Sequence, residues 1–195
     1  MEETPSEQPR REPIVLLAIL LEGGLAVLAW LLGWSLDRPP LERVYWQMHD
    51  AALGVAASLP LLLVFALCVR WPLGPLAGIK RFSEEIIRPL FAPCTLLDLA
   101  GISLLAGLGE EMLFRAVLQG LFSDWLGLWQ GLLLASVLFG LLHLVTPAYA
   151  VMATVMGAYL GYCWIETGNL LVVIIAHALY DFLALLYLVR GPVSR

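Results

Sequence analysis

The sequence predicts an all-α membrane protein, a bundle of about six transmembrane helices. Hydrophobic residues make up 61% of the chain and charged residues only 14%, against roughly 45–50% and about 25% in an ordinary soluble domain. The apolar residues form runs of about 17 to 25, each long enough to cross roughly 30 Å of hydrocarbon as a helix. No stretch alternates polar and apolar residues as the strands of a membrane barrel do.

The first 93 residues are predicted to hold a tail, two spans and an interfacial segment. Residues 1–13 are polar and contain three prolines, which predicts a disordered cytoplasmic tail. Residues 14–93 follow, with a first span from Ile14 to about Leu36 and a second from about Ala51 to Val69. Between Arg70 and Pro93, cations alternate with apolar residues at helical spacing, which is typical of an amphipathic helix at the cytoplasmic membrane surface.

Residues 94–190 are predicted to hold the other four spans. Their approximate bounds are Thr95 to Phe122, Leu128 to Val145, Ala148 to Ile165 and Leu170 to Val189. Pro147 should end the fourth span, because proline cannot continue a helix without losing a backbone hydrogen bond. We expect short turns between these spans.

The cations predict the orientation of the bundle. Most lie in the two tails and the second loop: Arg10, Arg11, Arg70, Lys80, Arg81, Arg88, Arg190 and Arg195. The opposite side carries only Arg38 and Arg43 in its loops. Because cytoplasmic loops of membrane proteins are enriched in Lys and Arg, both termini are predicted to face the cytoplasm.

Several ionisable residues fall within the C-terminal spans. They are Glu110, Glu111 and Arg115 in the third span, His143 in the fourth, and His177 and Asp181 in the sixth. A charged residue at the centre of a span costs about 2.5–3.5 kcal/mol on insertion scales, so such residues are usually paired, hydrated or functional.

Helical spacing separates these residues into groups. Glu111 and Arg115 are four apart with the acid first, the favourable order for an intrahelical ion pair. Glu110 lies about 100° around the helix from Glu111 and should face a different neighbour, which makes it the better candidate for a general base. His177 and Asp181 are also four apart and therefore share one helix face.

We expect Glu110, His143, His177 and Asp181 to surround one water-filled pocket that opens to the cytoplasm. A buried glutamate beside histidines can take a proton from water as the water attacks a carbonyl. Histidine, or the side chain at position 181, can donate hydrogen bonds to the developing oxyanion. The same four residues would also suit a divalent metal such as zinc with one open position. The sequence leaves both mechanisms open, one with a metal and one without any cofactor.

Three segments resemble motifs of one family of intramembrane proteases. Glu110–Arg115 is similar to the E-E-x-x-x-R motif of the CPBP family (ABI, CAAX prenyl endopeptidase type II-like). Phe139–His143 resembles its F-x-x-x-H motif, and His177–Asp181 its H-x-x-x-N/D motif. The order and spacing of the three motifs agree with the family between about Leu97 and Leu188.

The resemblance implies an intramembrane (metallo)endopeptidase that hydrolyses membrane-embedded or lipidated peptide and protein substrates. Glu110 and His143 would activate water, His177 and Asp181 would support the oxyanion, and Phe139 would pack behind them. Eukaryotic relatives trim prenylated CAAX termini, whereas a six-span chain of this kind is typical of prokaryotic members in the plasma (inner) membrane. The lipid bilayer is the expected environment, and no nucleic acid is expected as a partner.

Other interpretations of the buried charges are open. They could form ion pairs that hold helix register, serve a proton-coupled transporter, or belong to a non-catalytic immunity or regulatory protein of the same family. A transporter usually shows an internal repeat, and none is evident. Solvated or packing roles are assigned to Glu22, Asp98 and Glu166. His49 is predicted to be interfacial, and Glu84 and Glu85 are predicted to form a solvated face.

Overall fold

A computed structural model describes residues 10–192, which form a bundle of helices without any strand in that range. Its seven helices are α1 (Arg11–Ser35), α2 (Met48–Arg70), α3 (Leu76–Phe91), α4 (Leu96–Leu126), α5 (Leu128–Leu142), α6 (Pro147–Thr167) and α7 (Leu170–Arg190). A short 3-10 turn, Pro40–Arg43, lies between α1 and α2. The predicted all-α fold is confirmed.

The predicted spans correspond to α1, α2 and α4 to α7. Four of these helices, α1, α2, α6 and α7, are each long and apolar enough to cross a membrane. Helices α3 and α4 pass the same test together, with a bend of 118° at the break between them. Helix α5 has only 15 residues, whereas a span needs about 20. The structure therefore has four to five clear spans, roughly consistent with the predicted six.

Helix α1 begins earlier than the sequence predicted. The first span was expected to start at Ile14, after a tail of residues 1–13, but the helix begins at Arg11. Pro13 is tolerated there because the first-turn N–H groups of a helix have no intrahelical partner to lose. Glu12 favours the same start, since a negative charge stabilises a helix N-terminus. The rest of the predicted tail, residues 1–9, lies outside the described residues.

The turn between α5 and α6 also differs from the prediction. The fourth span was expected to reach about Val145, but α5 ends at Leu142 and His143 is its C-cap. The side-chain oxygen of Thr146 accepts a hydrogen bond from the Tyr149 N–H at 3.1 Å and caps α6. Pro147 occupies the first position of α6, where its missing N–H costs nothing. His143 therefore lies at a helix end and not inside a span.

Helix α4 contains the local irregularity nearest the charged residues. It begins with a capping box in which Thr95 and Asp98 each satisfy the other's backbone N–H. Regular α-helix ends at Glu111, and Met112–Gln119 continues as a π-helical segment. Such segments are rare in proteins and are frequently found at functional sites.

The main hydrophobic core surrounds this π-helical segment. Met112, Phe114 and Ala116 pack there with Ala29 of α1 and Val173 of α7. Close approach of α5 and α6 depends on small residues, because a Cβ at Gly140 would lie 2.6 Å from the backbone oxygen of Ala150. By contrast, the outer face of α1 is apolar and exposed: Leu16, Leu17, Leu20 and Leu21 are each more than half exposed. These exposed leucines are typical of a surface that contacts lipid.

Cations hold one end of the bundle together. Arg11 of α1 binds both carboxylate oxygens of Asp98 in α4, at 2.6 and 2.7 Å. Arg190 at the end of α7 donates to the backbone oxygen of Cys94 at 2.7 Å, and Arg88 of α3 donates to that of Gly191 at 2.7 Å. This basic end thus brings together the start of α1 and α4 and the end of α3 and α7.

The opposite end is joined by Asn169. Its side chain donates to the Tyr45 backbone oxygen and to Asp50, each at 2.7 Å, and accepts from the Tyr45 N–H at 3.0 Å. Arg38 is ion-paired with Asp124 at the same end. The two ends therefore differ in charge as the cation pattern predicted, and the cytoplasmic placement of the basic end stays a prediction.

Candidate active site

Side chains from two helices, α4 and α7, converge with one from the end of α5. Glu110 lies in α4 beside both histidines: its Oε1 is 3.9 Å from Nε2 of His143, and its Oε2 is 3.8 Å from Nε2 of His177. Asp181 is one turn after His177 in α7, with Oδ2 3.5 Å from the same Nε2. The four residues predicted to share one pocket are therefore brought together.

The Glu111–Arg115 pair lies directly behind these residues. Oε2 of Glu111 is 3.1 Å from Nε of Arg115, and both side chains are fully buried. The predicted ion pair is therefore present, although the π-helical segment begins between the two residues. Arg115 also lies over the ring of Phe139, with its guanidinium carbon 5.1 Å from the ring centroid, a geometry that favours a cation–π interaction.

Glu111 makes one contact that the sequence did not predict. Its Oε1 is 2.8 Å from Nδ1 of His177, so the carboxylate holds both Arg115 and the histidine ring. A carboxylate oxygen can only accept a hydrogen bond, so Nδ1 of His177 is the donor. The other ring nitrogen of His177, Nε2, faces Glu110 and Asp181. Glu111 thus orients His177 in addition to pairing with Arg115.

His143 is positioned by Phe139, one turn before it. Nδ1 of His143 donates to the Phe139 backbone oxygen at 2.8 Å, because a carbonyl can only accept. The two rings stack with centroids 4.4 Å apart. A neutral His143 therefore carries its free lone pair on Nε2, the atom that faces Glu110. The predicted packing role of Phe139 takes the form of this stack and this hydrogen bond.

The four residues line a cavity of about 100 Å³, hereafter the site cavity. Its other walls come mainly from α6 and α7: Tyr149, Met152, Ala153, Met156 and Tyr180. A water molecule occupies about 30 Å³ of liquid, so a cavity of this size has room for a few waters. Oε2 of Glu110 is buried and accepts no hydrogen bond from the described residues, which leaves it free to accept one from a guest in the cavity.

A second, apolar cavity of about 200 Å³ adjoins the site cavity. It shares Tyr149, Met152, Tyr180 and Asp181 with it. From there it extends between α2, α3 and the end of α7, past Phe82 of α3. The site cavity is therefore bordered on this side by a space whose walls are largely hydrophobic.

The predicted metal ligands do not form a metal-binding group as they stand. Among the described residues, no three His, Cys, Asp or Glu side chains are arranged to hold a metal ion. One nitrogen of each histidine is already engaged, by Glu111 and by the Phe139 carbonyl. Only the two Nε2 atoms, with the carboxylates of Glu110 and Asp181, face one another.

Glu22 of α1 lies closer to this site than its packing role implied. Gly109 of α4 packs on the backbone of Glu22, since a Cβ at Gly109 would lie 2.6 Å from the Glu22 backbone oxygen. The Glu22 carboxylate interacts electrostatically with His177 and Asp181, and its buried Oε2 has no hydrogen-bond partner among residues 10–192. A lone acid in the middle of an apolar run was the signal in the sequence that pointed to it.

The other charged residues outside the motifs lie away from the site cavity. His49 is exposed near the start of α2, with Nδ1 3.1 Å from Oδ1 of Asp50. Glu166 is exposed near the end of α6, and Glu85 is exposed on α3. These exposed positions agree with the solvated roles predicted for Glu85 and Glu166 and with the interfacial position predicted for His49.

The fold and the site together define a class of protein, a helical membrane bundle with two buried glutamates, a buried histidine and a half-buried histidine around a small internal cavity. Residues 92–183 match a family model described as Type II CAAX prenyl endopeptidase Rce1-like. This stretch contains α4 to most of α7 and all the residues of the three motifs, so the predicted resemblance to the CPBP family is confirmed. No curated protein and no solved structure matches the chain. At the level of family, the chain is a membrane protein similar to the CAAX proteases.

Proposed function

We propose that this protein is an intramembrane endopeptidase in which Glu110 and His143 activate a water molecule. The observation that carries the proposal is the convergence of Glu110 with Nε2 of both histidines, at 3.8 and 3.9 Å, around the site cavity. These distances are too long for direct hydrogen bonds. They suit a water that bonds to two groups at about 2.8 Å each, with an angle near 90° between them.

The reaction would begin with that water. Nε2 of His143 accepts one of its hydrogen bonds, and the carboxylate of Glu110 takes its proton as the oxygen attacks the peptide carbonyl. A C–O bond forms, and the carbonyl oxygen becomes an oxyanion. Glu110 then passes the proton to the amide nitrogen as the C–N bond breaks, which releases an amine and a carboxylic acid.

His177 would stabilise the oxyanion. A doubly protonated ring donates Nδ1–H to Glu111 and Nε2–H to the cavity, where the negative charge develops. Asp181 lies 3.5 Å from Nε2 and would hold the ring in place. The Glu111–Arg115 pair supports this arrangement, because the guanidinium offsets part of the carboxylate charge behind the ring.

The apolar cavity points to the substrate class. A membrane-embedded or lipidated peptide can place apolar groups in the apolar cavity. The peptide backbone would then enter the site cavity beside Tyr149 and Tyr180, which line both cavities. A hydrophilic peptide from the cytoplasm would gain little there. We infer that the chain acts in a plasma (inner) membrane, with the basic end and both termini in the cytoplasm.

The test is cleavage of a membrane-inserted fluorogenic peptide by purified protein in liposomes. Glu110→Gln and His143→Ala should each lower the rate by about 100-fold or more, since positioned acid–base groups contribute roughly 10²–10⁴. Glu166→Gln and His49→Ala are matched controls, because both residues are exposed and remote from the cavity; they should cleave at the wild-type rate. Equal rates in wild type, Glu110→Gln and His143→Ala would refute the assignment.

A further inference from the structure

A long groove lies on the flank of the bundle, between the second half of α2 and the end of α7. It encloses about 890 Å³. Its wall is almost entirely apolar: Leu62, Leu63, Phe65, Ala66, Leu67, Val69, Leu183 and Tyr187. Leu63 is 60% exposed and Tyr187 44% exposed, so the groove opens to the surroundings of the bundle and not to its interior. We call it the flank groove.

Two cations and a tryptophan lie at one end of the flank groove. Arg70 ends α2, Trp71 follows it, and Lys80 approaches from α3. Arg70 is exposed and makes no hydrogen bond or ion pair with any described residue. Lys80 has one weak partner, Glu84, at 3.9 Å. By contrast, Arg88 at the same end is already bound to a backbone oxygen.

The dimensions of the flank groove fit one leaflet of a membrane. From Leu62 to Arg70, α2 rises about 12 Å at 1.5 Å per residue. Half of a hydrocarbon core is about 15 Å thick. The apolar part therefore extends through most of one leaflet, and Arg70, Trp71 and Lys80 lie at the level where headgroups begin.

We propose that the flank groove is a binding site for one anionic phospholipid. The acyl chain would lie along Leu63 and Leu67, and the phosphate would bind Arg70 and Lys80. A zwitterionic lipid would satisfy the apolar wall, but the cation of its headgroup would offset the charge of its phosphate beside Arg70 and Lys80. A free phosphate would satisfy the cations alone. The two cations and the length of the apolar wall together favour a lipid that has both an acyl chain and a negatively charged headgroup.

The flank groove is separate from the site cavity. Phe65, Val69 and Lys80 form the wall between it and the apolar cavity, and none of the residues proposed to act on water lines it. The lipid would therefore support the outer side of this wall. The inference does not depend on the proposed proteolysis, and its test needs no substrate.

The experiment compares phosphatidylglycerol with phosphatidylcholine binding to the purified full-length protein by native mass spectrometry. Each cation near the membrane surface contributes about fivefold to anionic-lipid affinity. We therefore expect wild type to bind phosphatidylglycerol about 30-fold more tightly than Arg70→Gln/Lys80→Gln does. The same double substitution should change phosphatidylcholine affinity much less, because that headgroup has no net charge. Arg81→Gln, an exposed cation of α3 outside the groove, should bind both lipids as wild type does.

A second variant tests the apolar part. Ala66 is a small, exposed residue of the groove wall, so Ala66→Phe should narrow the groove and weaken phosphatidylglycerol binding without any change in charge. Inorganic phosphate alone should not compete with the lipid at millimolar concentration. Equal affinity of wild type and the double variant for phosphatidylglycerol, full binding by Ala66→Phe, or displacement by phosphate would each overturn the proposal.

Discussion

Replacing Glu111 with glutamine should destabilise the protein by about 3–5 kcal/mol. Both members of the Glu111–Arg115 pair are fully buried, and the substitution leaves an uncompensated guanidinium in the core, for which losses of that size are typical. Total stabilities are about 5–15 kcal/mol, so the change should lower the melting temperature well beyond experimental scatter. Phe139 below the guanidinium would offset only a small part of the loss.

The double variant Glu111→Leu/Arg115→Met separates stability from site geometry. Removing both charges should recover much of the lost stability, because well-packed apolar residues often replace a buried ion pair at no cost. It also removes the acceptor of the His177 Nδ1–H, so cleavage should stay impaired. Wild-type cleavage by a stable double variant would refute the orienting role of Glu111.

Thermal unfolding can be followed with a thiol-reactive dye. Cys68 and Cys94 are buried free thiols, and burial raises the pKa of the Cys94 thiol outside the spans, which keeps it unreactive until the protein unfolds. As a control, Arg38→Gln breaks the ion pair with the exposed Asp124 and should cost less than about 1 kcal/mol. A melting temperature for Glu111→Gln equal to that of wild type would show that the buried pair carries little stability.

Three further predictions concern packing and the surroundings of the site. Gly109→Ala should destabilise the protein by about 1–3 kcal/mol, because the new Cβ meets the Glu22 backbone. The control Gly101→Ala, in the same helix, meets nothing within 4 Å and should stabilise the protein slightly. Equal melting temperatures for these two variants would contradict this packing. Phe139→Leu should lower the cleavage rate, since His143 loses its stacked neighbour, with little change in substrate affinity measured from KM. Glu22→Gln should lower the cleavage rate by less than about tenfold, because Glu22 acts on His177 through charge alone. A loss of rate as large as that of Glu110→Gln would show that Glu22 has a direct role in the chemistry.

The span positions followed from the sequence because the membrane imposes a length on each apolar run. A run of about 20 residues satisfies its own backbone hydrogen bonds as a helix, whatever its neighbours are. Turn residues then marked the ends, although Pro13 proved compatible with the first turn of α1 and His143 proved to lie at the end of α5. These errors of about three residues are typical where a cap, and not hydrophobicity, decides the helix end.

Contacts within one helix could also be predicted. Glu111–Arg115 and His177–Asp181 are each four residues apart, and both pairs are in contact in the structure. Such pairs depend only on helix geometry, which is the same in every protein. The family motifs added the partner helices but not the contacts between them.

Contacts between helices were decided only by the tertiary structure. The bond from Glu111 to His177, the approach of Glu22 and the shared wall of the two cavities each depend on how far one helix is rotated about its axis relative to another. That rotation is set by core packing and by the π-helical segment of α4, neither of which hydropathy or spacing reveals. The sequence by itself determined which residues are buried and charged within the membrane; packing determined which of them face one another.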